Sequence, residues 1–288
     1  MIDEPDAAAI AWAGQVLGRP VSGVTQLTGG MTSRMLRLSH DTGDDSVLRL
    51  ITEEPWRRDG AELARREATT QQTLVASPVP APRSLALDAH GRQAGHAAHL
   101  MSWLPGERDA MRGDPAALRA MAELLGEIHE VRVQPMPREF QSWSLPSKWV
   151  VPDWSDASGT WRRAFDVLAA GDPPWEPCFL QRDFGPHNLL WTGDRITGVV
   201  DWVETSTGPA WLDVAHGASN LALRNGTDVA SRFSSAYVDL TGRQPEPYWD
   251  VLDVVGFLPD PGGRVMRLGA DGWRRLEEHL ARVLTELR

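Results

Sequence analysis

The sequence of 288 residues contains very little lysine and cysteine. Lys148 is the only lysine among 29 Lys and Arg residues, and Cys178 is the only cysteine. A single cysteine excludes an internal disulfide and predicts a reducing, cytoplasmic setting. No apolar run approaches the roughly 20 residues of a membrane-spanning helix, and the first residues show no basic leader. The sequence therefore predicts neither export nor insertion into a membrane.

Positive charge is also scarce relative to negative charge. The formal net charge is −10, whereas a nucleic-acid partner requires a basic surface. The balance therefore argues against nucleic acid as a substrate. It is compatible with a small cationic substrate, although many soluble proteins are acidic for solubility alone.

One segment contains the residue types that phosphoryl transfer requires. Residues 181–188 read Gln-Arg-Asp-Phe-Gly-Pro-His-Asn, and Asp201 follows thirteen positions after Asn188. Transfer from ATP to a hydroxyl needs one carboxylate to orient the acceptor, and amide and carboxylate oxygens to hold Mg²⁺. Asp183 fits the first role, and Asn188 with Asp201 fits the second.

The surrounding sequence predicts a suitable structural context for these residues. A short apolar strand comes first, and a loop with glycine and proline follows. Residues 188–191 and 196–202 read as strands of a hairpin that would fold Asp201 back beside this loop. Taken alone, Asp183 and Asn188 would be ordinary loop residues that bind backbone amides. The hairpin and the second aspartate favour the functional interpretation.

The N-terminal region predicts a sheet that binds nucleotide phosphates. Predicted strands at 24–27 and 35–38 flank a turn with Gly29 and Gly30. Glycine would let backbone amides approach triphosphate oxygens closely. A plain hairpin turn is the alternative interpretation of this segment.

Arg49 is the candidate phosphate-binding cation, because no lysine occurs in the N-terminal half of the chain. It alternates with apolar leucines in a predicted strand at 46–51, so it points to the opposite face. Its planar guanidinium can pair with phosphate oxygens in a bidentate manner. Glu67, in a predicted helix at 59–74, is the expected ion-pair partner, and Glu62 is the alternative. The competing interpretation is a surface arginine.

The end of the last predicted strand in this sheet is the expected hinge. Met101, Ser102 and Trp103 would place backbone amide and carbonyl groups against an adenine edge. The crossing to a second lobe then begins. We therefore predict an N-terminal nucleotide-binding lobe over 1–103 and a C-terminal catalytic and substrate-binding lobe over 104–288. His96 and His99 lie three apart on one strand, on opposite faces, so we treat both as structural.

The predicted second lobe is mostly helical. Residues 115–131 form an amphipathic helix suited to its core. Five of the thirteen tryptophans lie between Trp143 and Trp175. Such a cluster could hold a sugar or a cation, but more often it anchors a connector onto a helical core.

Several acidic residues in the last third leave two interpretations open. Glu204, Asp250 and Asp253 could line a pocket for a cationic acceptor, or they could be solvated helix charges, which is the commoner case. Asp213 could cap a helix or brace the catalytic loop, and both roles are structural.

Together these residues resemble the aminoglycoside phosphotransferase and choline kinase family over nearly the whole chain. The specific part is the block 181–188 with the Asp201-Trp202 pair, whereas the N-terminal pieces match by order and spacing. Gln181 stands where the family usually has His, and Arg49 where it usually has Lys. The Asp-Trp pair is ordinary in this family and argues against a protein kinase.

The resemblance implies a bilobal, protein-kinase-like α+β fold. An N-terminal lobe of antiparallel sheet with one main helix would precede a larger, mostly helical lobe. The implied activity is transfer of the γ-phosphate of ATP, or of GTP, to a hydroxyl of a small molecule with Mg²⁺ as the cation. Asp183 would orient the acceptor, Asn188 and Asp201 would bind Mg²⁺, and Arg49 would bind phosphate.

The acceptor stays open at this stage. Aminoglycosides or amino sugars are the first expectation, and antibiotic resistance is a familiar role in the family. Related chains phosphorylate choline, homoserine, sugars and other metabolites. A non-catalytic nucleotide-binding relative is a further alternative, but retention of all three of Asp183, Asn188 and Asp201 counts against it. Hydrolase and P-loop motifs are missing from the sequence.

Overall fold

The computed structural model describes residues 4–28, 33–260 and 269–287. The chain forms two compact units, and each consists of two segments of the chain. The first is Met1–Gly106 with Thr197–Glu204, and the second is Glu107–Ile196 with Thr205–Arg288. The sequence suggested a boundary between two lobes after residue 103. That boundary, with the function of each lobe, stays a prediction.

The first unit contains an antiparallel five-stranded sheet. Its strands, in the order β1-β2-β3-β5-β4, are β1 (Val21–Leu27), β2 (Arg34–His40), β3 (Ser46–Leu50), β4 (Ser84–Asp88) and β5 (Ala98–Ser102). The predicted strands of this sheet are thereby confirmed, with β1 and β2 somewhat longer than expected. The predicted glycine turn, with Gly29 and Gly30, lies outside the described residues.

Two helices accompany this sheet, α1 (Glu4–Leu17) and α2 (Gly60–Leu74). Apolar side chains of α1, among them Trp12, form one buried cluster with Leu38, Leu48 and Leu50 of the sheet. Each buried leucine of this kind contributes about 1.5–3 kcal/mol to folding. Because side chains alternate along β3, the leucines in this core leave Arg49 on the opposite face.

The second unit is mainly helical. Its helices are α3 (Pro115–His129), α4 (Ser158–Ala169), α5 (Trp211–Asn225), α6 (Thr227–Thr241), α7 (Pro247–Gly256) and α8 (Ala270–Glu286). The amphipathic helix predicted at 115–131 is confirmed as α3, two residues shorter at its C-terminal end. Its start is well defined, because the Asp114 side chain accepts a hydrogen bond from Ala117 N at 3.0 Å.

Short strands lie before and after the loop of residues 181–188, which contains Asp183 and Asn188. They are β6 (Glu107–Arg108), β7 (Cys178–Leu180), β8 (Leu189–Thr192), β9 (Arg195–Val199) and β10 (Ser206–Gly208). β7 pairs with β10, and β6 pairs with β8. The chain passes from the second unit to the first within β9, after Ile196.

The tryptophan-rich segment serves mainly as packing. Trp161 is fully buried, and its ring contacts those of Trp154 and Phe165. Trp143 differs, because its ring lies against the guanidinium of Arg182, 3.7 Å from the ring centroid. The cation that this tryptophan holds is therefore one of the protein's own side chains.

The predicted fold class is confirmed: one unit has an antiparallel sheet with the helices α1 and α2, and the larger unit is mainly helical. The interpretation of the acidic residues as solvated charges is wrong for α7. Asp250 and Asp253 are only 5% and 2% exposed. Glu204 is half-buried. Within the part of the chain that the structure describes, no helix has the length and apolar character needed to cross a membrane.

Candidate active site

The loop after β7 is held by one buried aspartate. Asp213, near the start of α5, accepts hydrogen bonds from Gln181 N and Arg182 N, both at 2.8 Å. Gln181 in turn accepts a hydrogen bond from Asp183 N at 2.7 Å through its Oε1 atom. Of the two roles considered for Asp213, the structure shows the brace, because α5 has no side-chain cap. Gln181 is a second brace of the same loop.

Asp183 is the centre of a set of hydrogen bonds within the second unit. Asn188 Nδ2 lies 2.9 Å from Asp183 Oδ2 and 2.9 Å from its backbone oxygen. On the other carboxylate oxygen, Oδ1, His216 Nε2 lies at 3.0 Å and His187 Nε2 at 3.4 Å. The Asp183 side chain is still 28% exposed. A carboxylate oriented in this way can also accept a hydrogen bond from a substrate.

The neighbouring histidines keep Asp183 ionised. Burial by itself raises the pKa of Asp183, but hydrogen bonds and charge attraction from His187 and His216 outweigh it and hold that pKa well below its usual range. Burial likewise lowers the pKa of His216, yet attraction to Asp253 and the bonds to Asp183 and Asp253 raise it to about 9. Asp183 and His216 therefore form an ion pair at neutral pH.

The first unit contains a second charged cluster around Arg49. Its Nη2 and Nε atoms each lie 3.0 Å from one carboxylate oxygen of Glu67. Nη2 is also 3.2 Å from Asp201 Oδ1, and Nη1 donates to Ser33 Oγ at 3.1 Å. Arg49 is only 4% exposed, so it is not a surface arginine. The partner is Glu67, whereas Glu62 pairs with Arg66.

Glu67 is ionised although it is fully buried. Burial raises the pKa of Glu67, but attraction by Arg49 and the hydrogen bond with His99 lower it to about 2. His99 Nδ1 lies 2.9 Å from Glu67 Oε2, and its Nε2 lies 3.0 Å from Ser84 Oγ. His99 is therefore structural, as predicted, and its specific role is to support the partner of Arg49.

Two residues of these clusters have strained backbones. Among the described residues, Arg182 (φ 74°) and Asp201 (φ 63°) are the non-glycine residues with positive φ. Such a conformation costs about 1–2 kcal/mol for an ordinary L-residue. The surrounding hydrogen bonds must hold these residues in place, which is typical of functional positions.

The predicted hinge residues lie at the end of β5. Met101 is buried, and Ser102 N and Trp103 N donate to Arg83 O at 2.9 Å and Asp45 O at 3.3 Å. These two amides are therefore engaged within the first unit. Contact between these residues and adenine stays a prediction.

One group of described residues has ligand atoms close enough together to hold a metal ion. Asp183, His187 and His216 have ligand atoms within 4.8 Å of one another. An imidazolium has no free nitrogen lone pair for a metal, however, and the raised pKa of His216 favours that form. Asn188 and Asp201, which the sequence suggested as ligands, have oxygen atoms of the type that Mg²⁺ prefers, and their role stays a prediction. Asn188 Nδ2 is committed to Asp183, so its carbonyl oxygen is the atom that could ligate a cation.

Sequence reasoning did not identify His216, and it considered Asp253 only as a pocket residue or a solvated charge. Asp253 Oδ1 lies 2.9 Å from His216 Nδ1 and 3.9 Å from Arg182 Nη1. The one available signal was the spacing of Asp213 and His216, which places both on neighbouring faces of a single helix. Asp253 had no such signal, because its contact depends on how α7 packs against α5.

These arrangements define the class of protein. The hydrogen-bonded Asp/Asn loop of the second unit and the buried Arg–Glu pair of the first unit each resemble a part that kinases use in phosphoryl transfer. The model of the phosphotransferase enzyme family (APH) matches residues 23–253. The chain belongs to this family.

Solved structures agree on the fold. One is a thermostable mutant of aminoglycoside phosphotransferase APH(4)-Ia in a ternary complex with ADP and hygromycin B. It has a TM-score of 0.66 and 17% identity, and the match covers 97% of this chain and 99% of that chain. Another is macrolide 2'-phosphotransferase MphH from Brachybacterium faecium, with a TM-score of 0.60, 17% identity and 99% coverage of both chains. No curated protein matches the chain.

Proposed function

We propose that this chain transfers the γ-phosphoryl group of ATP to a hydroxyl group of a small molecule. The observation that carries the proposal is the ionised carboxylate of Asp183, oriented by Asn188 and His216 and still partly exposed. Membership of a phosphotransferase family supports this assignment. Mg²⁺-ATP, when bound, supplies the phosphoryl group and the divalent charge that stabilises its transfer.

Asp183 accepts a hydrogen bond from the acceptor hydroxyl and takes its proton late in the transfer. Its low pKa makes it a weak base, so its main contribution is to orient the hydroxyl. Asn188 and Asp201 are the proposed Mg²⁺ ligands. Asp201, with 31% of its side chain exposed, is accessible to a cation.

Arg49 is the proposed phosphate-binding cation. Glu67 holds two of its guanidinium nitrogens in a fixed plane, as the lysine–glutamate pair of kinases holds an ammonium group. Gly29 and Gly30 are proposed to cover the phosphates. Met101, Ser102 and Trp103 are proposed to contact the base.

The finer proposal for the acceptor is an aminoglycoside or amino sugar, with choline, homoserine or another sugar as alternatives. The structural neighbours include an aminoglycoside phosphotransferase and a macrolide 2'-phosphotransferase, and these activities support an acceptor of the aminoglycoside kind. GTP in place of ATP is a further alternative for the donor.

The test is a coupled nucleotide-consumption assay with purified protein and Mg²⁺. Acceptors would include aminoglycosides, amino sugars, choline-like amines and macrolides, with ATP and GTP as donors. Turnover that depends on one acceptor and is lost in Asp183→Ala protein that is shown to be folded supports the proposal. ATP binding without turnover on any acceptor would favour a non-catalytic relative. Turnover that is unchanged in Asp183→Ala would contradict the site assignment.

A further inference from the structure

The imidazole of His216 lies between two carboxylates. Its Nε2 is 3.0 Å from Asp183 Oδ1, and its Nδ1 is 2.9 Å from Asp253 Oδ1. The residue is only 5% exposed. α5 supplies the histidine, α7 supplies Asp253, and the loop after β7 supplies Asp183.

The chemistry of this bridge determines the protonation state of the ring. An ionised carboxylate only accepts hydrogen bonds, so a ring that bonds to a carboxylate at each nitrogen must donate from both. Only the imidazolium can do so. Asn220 Nδ2 also lies 3.0 Å from Nε2, but it has an acceptor of its own in the backbone oxygen of His216 at 3.0 Å.

Other titratable groups also approach the two carboxylates that flank His216. His187 approaches Asp183 from the same loop, and Arg182 lies 3.9 Å from Asp253 Oδ1. On α5 itself, the half-buried Arg224 donates to Asn220 rather than to a carboxylate. The rings of Trp143 and Phe257 contact His216, with centroids at 5.2 and 5.7 Å, and shield it from water. His216 therefore supplies a hydrogen bond to each of the two carboxylates.

We propose that His216, held as an imidazolium by Asp253, is a positioning residue that fixes the rotamer of Asp183 and leaves its Oδ2 atom for the acceptor hydroxyl. Oδ1 is occupied by His216 and His187, whereas Oδ2 accepts one hydrogen bond, from Asn188. An ionised carboxylate oxygen has a second lone pair for a further bond. This inference rests on the proposed phosphotransferase function.

A matched pair of substitutions separates this role from packing. The amide nitrogen of glutamine reaches about as far as the Nε2 atom of histidine, and that of asparagine about as far as Nδ1. His216→Gln can therefore still donate to Asp183, whereas His216→Asn can donate only to Asp253. Both variants lose the same ring contacts with Trp143 and Phe257.

The expected kinetic result is a difference between these two variants. His216→Asn loses the hydrogen bond to the charged Asp183. We therefore expect its kcat to fall about ten- to hundred-fold. His216→Gln should recover much of that loss, and KM for the nucleotide should change little in either. His279→Asn is the control, because His279 is equally buried at 4% and bonds to Thr227. Equal kcat values in the Gln and Asn variants would overturn the proposal.

NMR titration provides a readout that does not need activity. Of the eight histidines, His216 should titrate near pH 9, and His279, whose burial lowers its pKa to about 4, serves as an internal contrast. Asp183→Asn and Asp253→Asn should each lower the pKa of His216 by about one unit or more. An ordinary pKa near 6.5 in the wild-type protein would overturn the ion pair. If the phosphotransferase function itself were wrong, the wild-type protein would show no turnover with any acceptor, while the titration kept its result.

Discussion

Arg49 contacts Glu67 through two guanidinium nitrogens, each 3.0 Å from a different oxygen of the carboxylate. Glu67 is completely buried, and Arg49 nearly so. A buried ion pair is a weak source of net stability, but removing one partner leaves an uncompensated charge that is costly. The pair therefore ties the orientation of the proposed phosphate-binding cation to the stability of the sheet unit.

Breaking this pair should destabilise the protein, and removing both charges should restore part of the loss. Arg49→Met is expected to cost about 3–5 kcal/mol in the free energy of unfolding, measured with urea. The double variant Arg49→Met with Glu67→Gln should lose less than the single variant. Arg119→Met breaks an exposed pair with Glu123 and should cost at most about 1 kcal/mol. Equal losses in Arg49→Met and Arg119→Met would contradict this account.

Arg49→Ala should also weaken nucleotide use without abolishing it. The proposed Mg²⁺ ligands are untouched in this variant, so the main expected change is a higher KM for ATP. The assay compares kcat and KM in protein shown to be folded. Wild-type values for both constants would exclude a role for Arg49 in phosphate binding.

Asp201 allows a substitution that changes charge but preserves the backbone. Its φ of 63° lies in the left-handed region, which asparagine tolerates better than most residues. Asp201→Asn should therefore fold, but it should lose turnover about 100-fold or more, because a neutral amide is a weaker Mg²⁺ ligand. ATP binding, measured by calorimetry with and without Mg²⁺, should show less dependence on Mg²⁺ than in the wild type. An unchanged Mg²⁺ dependence would count against Asp201 as a ligand.

Sequence reasoning could predict those parts of the site that depend on the local sequence pattern, such as alternation in a strand or spacing in a loop. Alternation in β3 was enough to place Arg49 opposite its leucine neighbours, and a single helix supplied Glu67. The brace by Asp213 was one of two roles considered. Asp183, Asn188 and Asp201 were identified by residue type and spacing, and their roles remain a proposal.

The rest of the site depends on packing between distant elements. His216 and Asp253 are in contact only because α5 and α7 pack together. No local pattern in the sequence predicts that contact. The sequence analysis took a solvated position as the commoner case for Asp250 and Asp253, because buried carboxylates are rare. That reasoning was wrong here. Both are retained in the interior with donors of their own, Trp211 Nε1 for Asp250 and His216 Nδ1 for Asp253.

Cys178 should be unreactive in the folded protein. It is 6% exposed at the start of β7, and burial raises the pKa of its thiol to about 12. Because the thiolate is the reactive form, a thiol reagent such as Ellman's reagent should label the native protein very slowly. Denaturant should expose one reactive thiol per chain. Rapid labelling without denaturant would show that β7 opens easily, and with it the start of the loop that contains Asp183.

Asp250 should make the protein less stable as the pH rises. Burial raises the pKa of Asp250 to about 8, and the charge of Asp253 adds to the effect. In the unfolded chain its pKa is about 3.9. Between these values the folded state keeps a proton that the unfolded state has released, so the free energy of unfolding falls with rising pH.

Asp250→Asn tests this relationship, because asparagine stays neutral and can still accept the hydrogen bond from Trp211. The melting temperature of the variant minus that of the wild type should increase from pH 5 to pH 8, at about 2–4 °C per kcal/mol for a chain of this size class. The raised pKa of His216 also lowers stability as the pH rises towards 9. Because the variant and the wild type both contain His216, the difference between their melting temperatures largely cancels this contribution. Asp239→Asn, at an exposed position of α6, controls for the loss of a carboxylate. A difference that does not vary with pH would mean that Asp250 is ionised in the folded protein at neutral pH, and that its buried carboxylate is stabilised by more than the indole of Trp211.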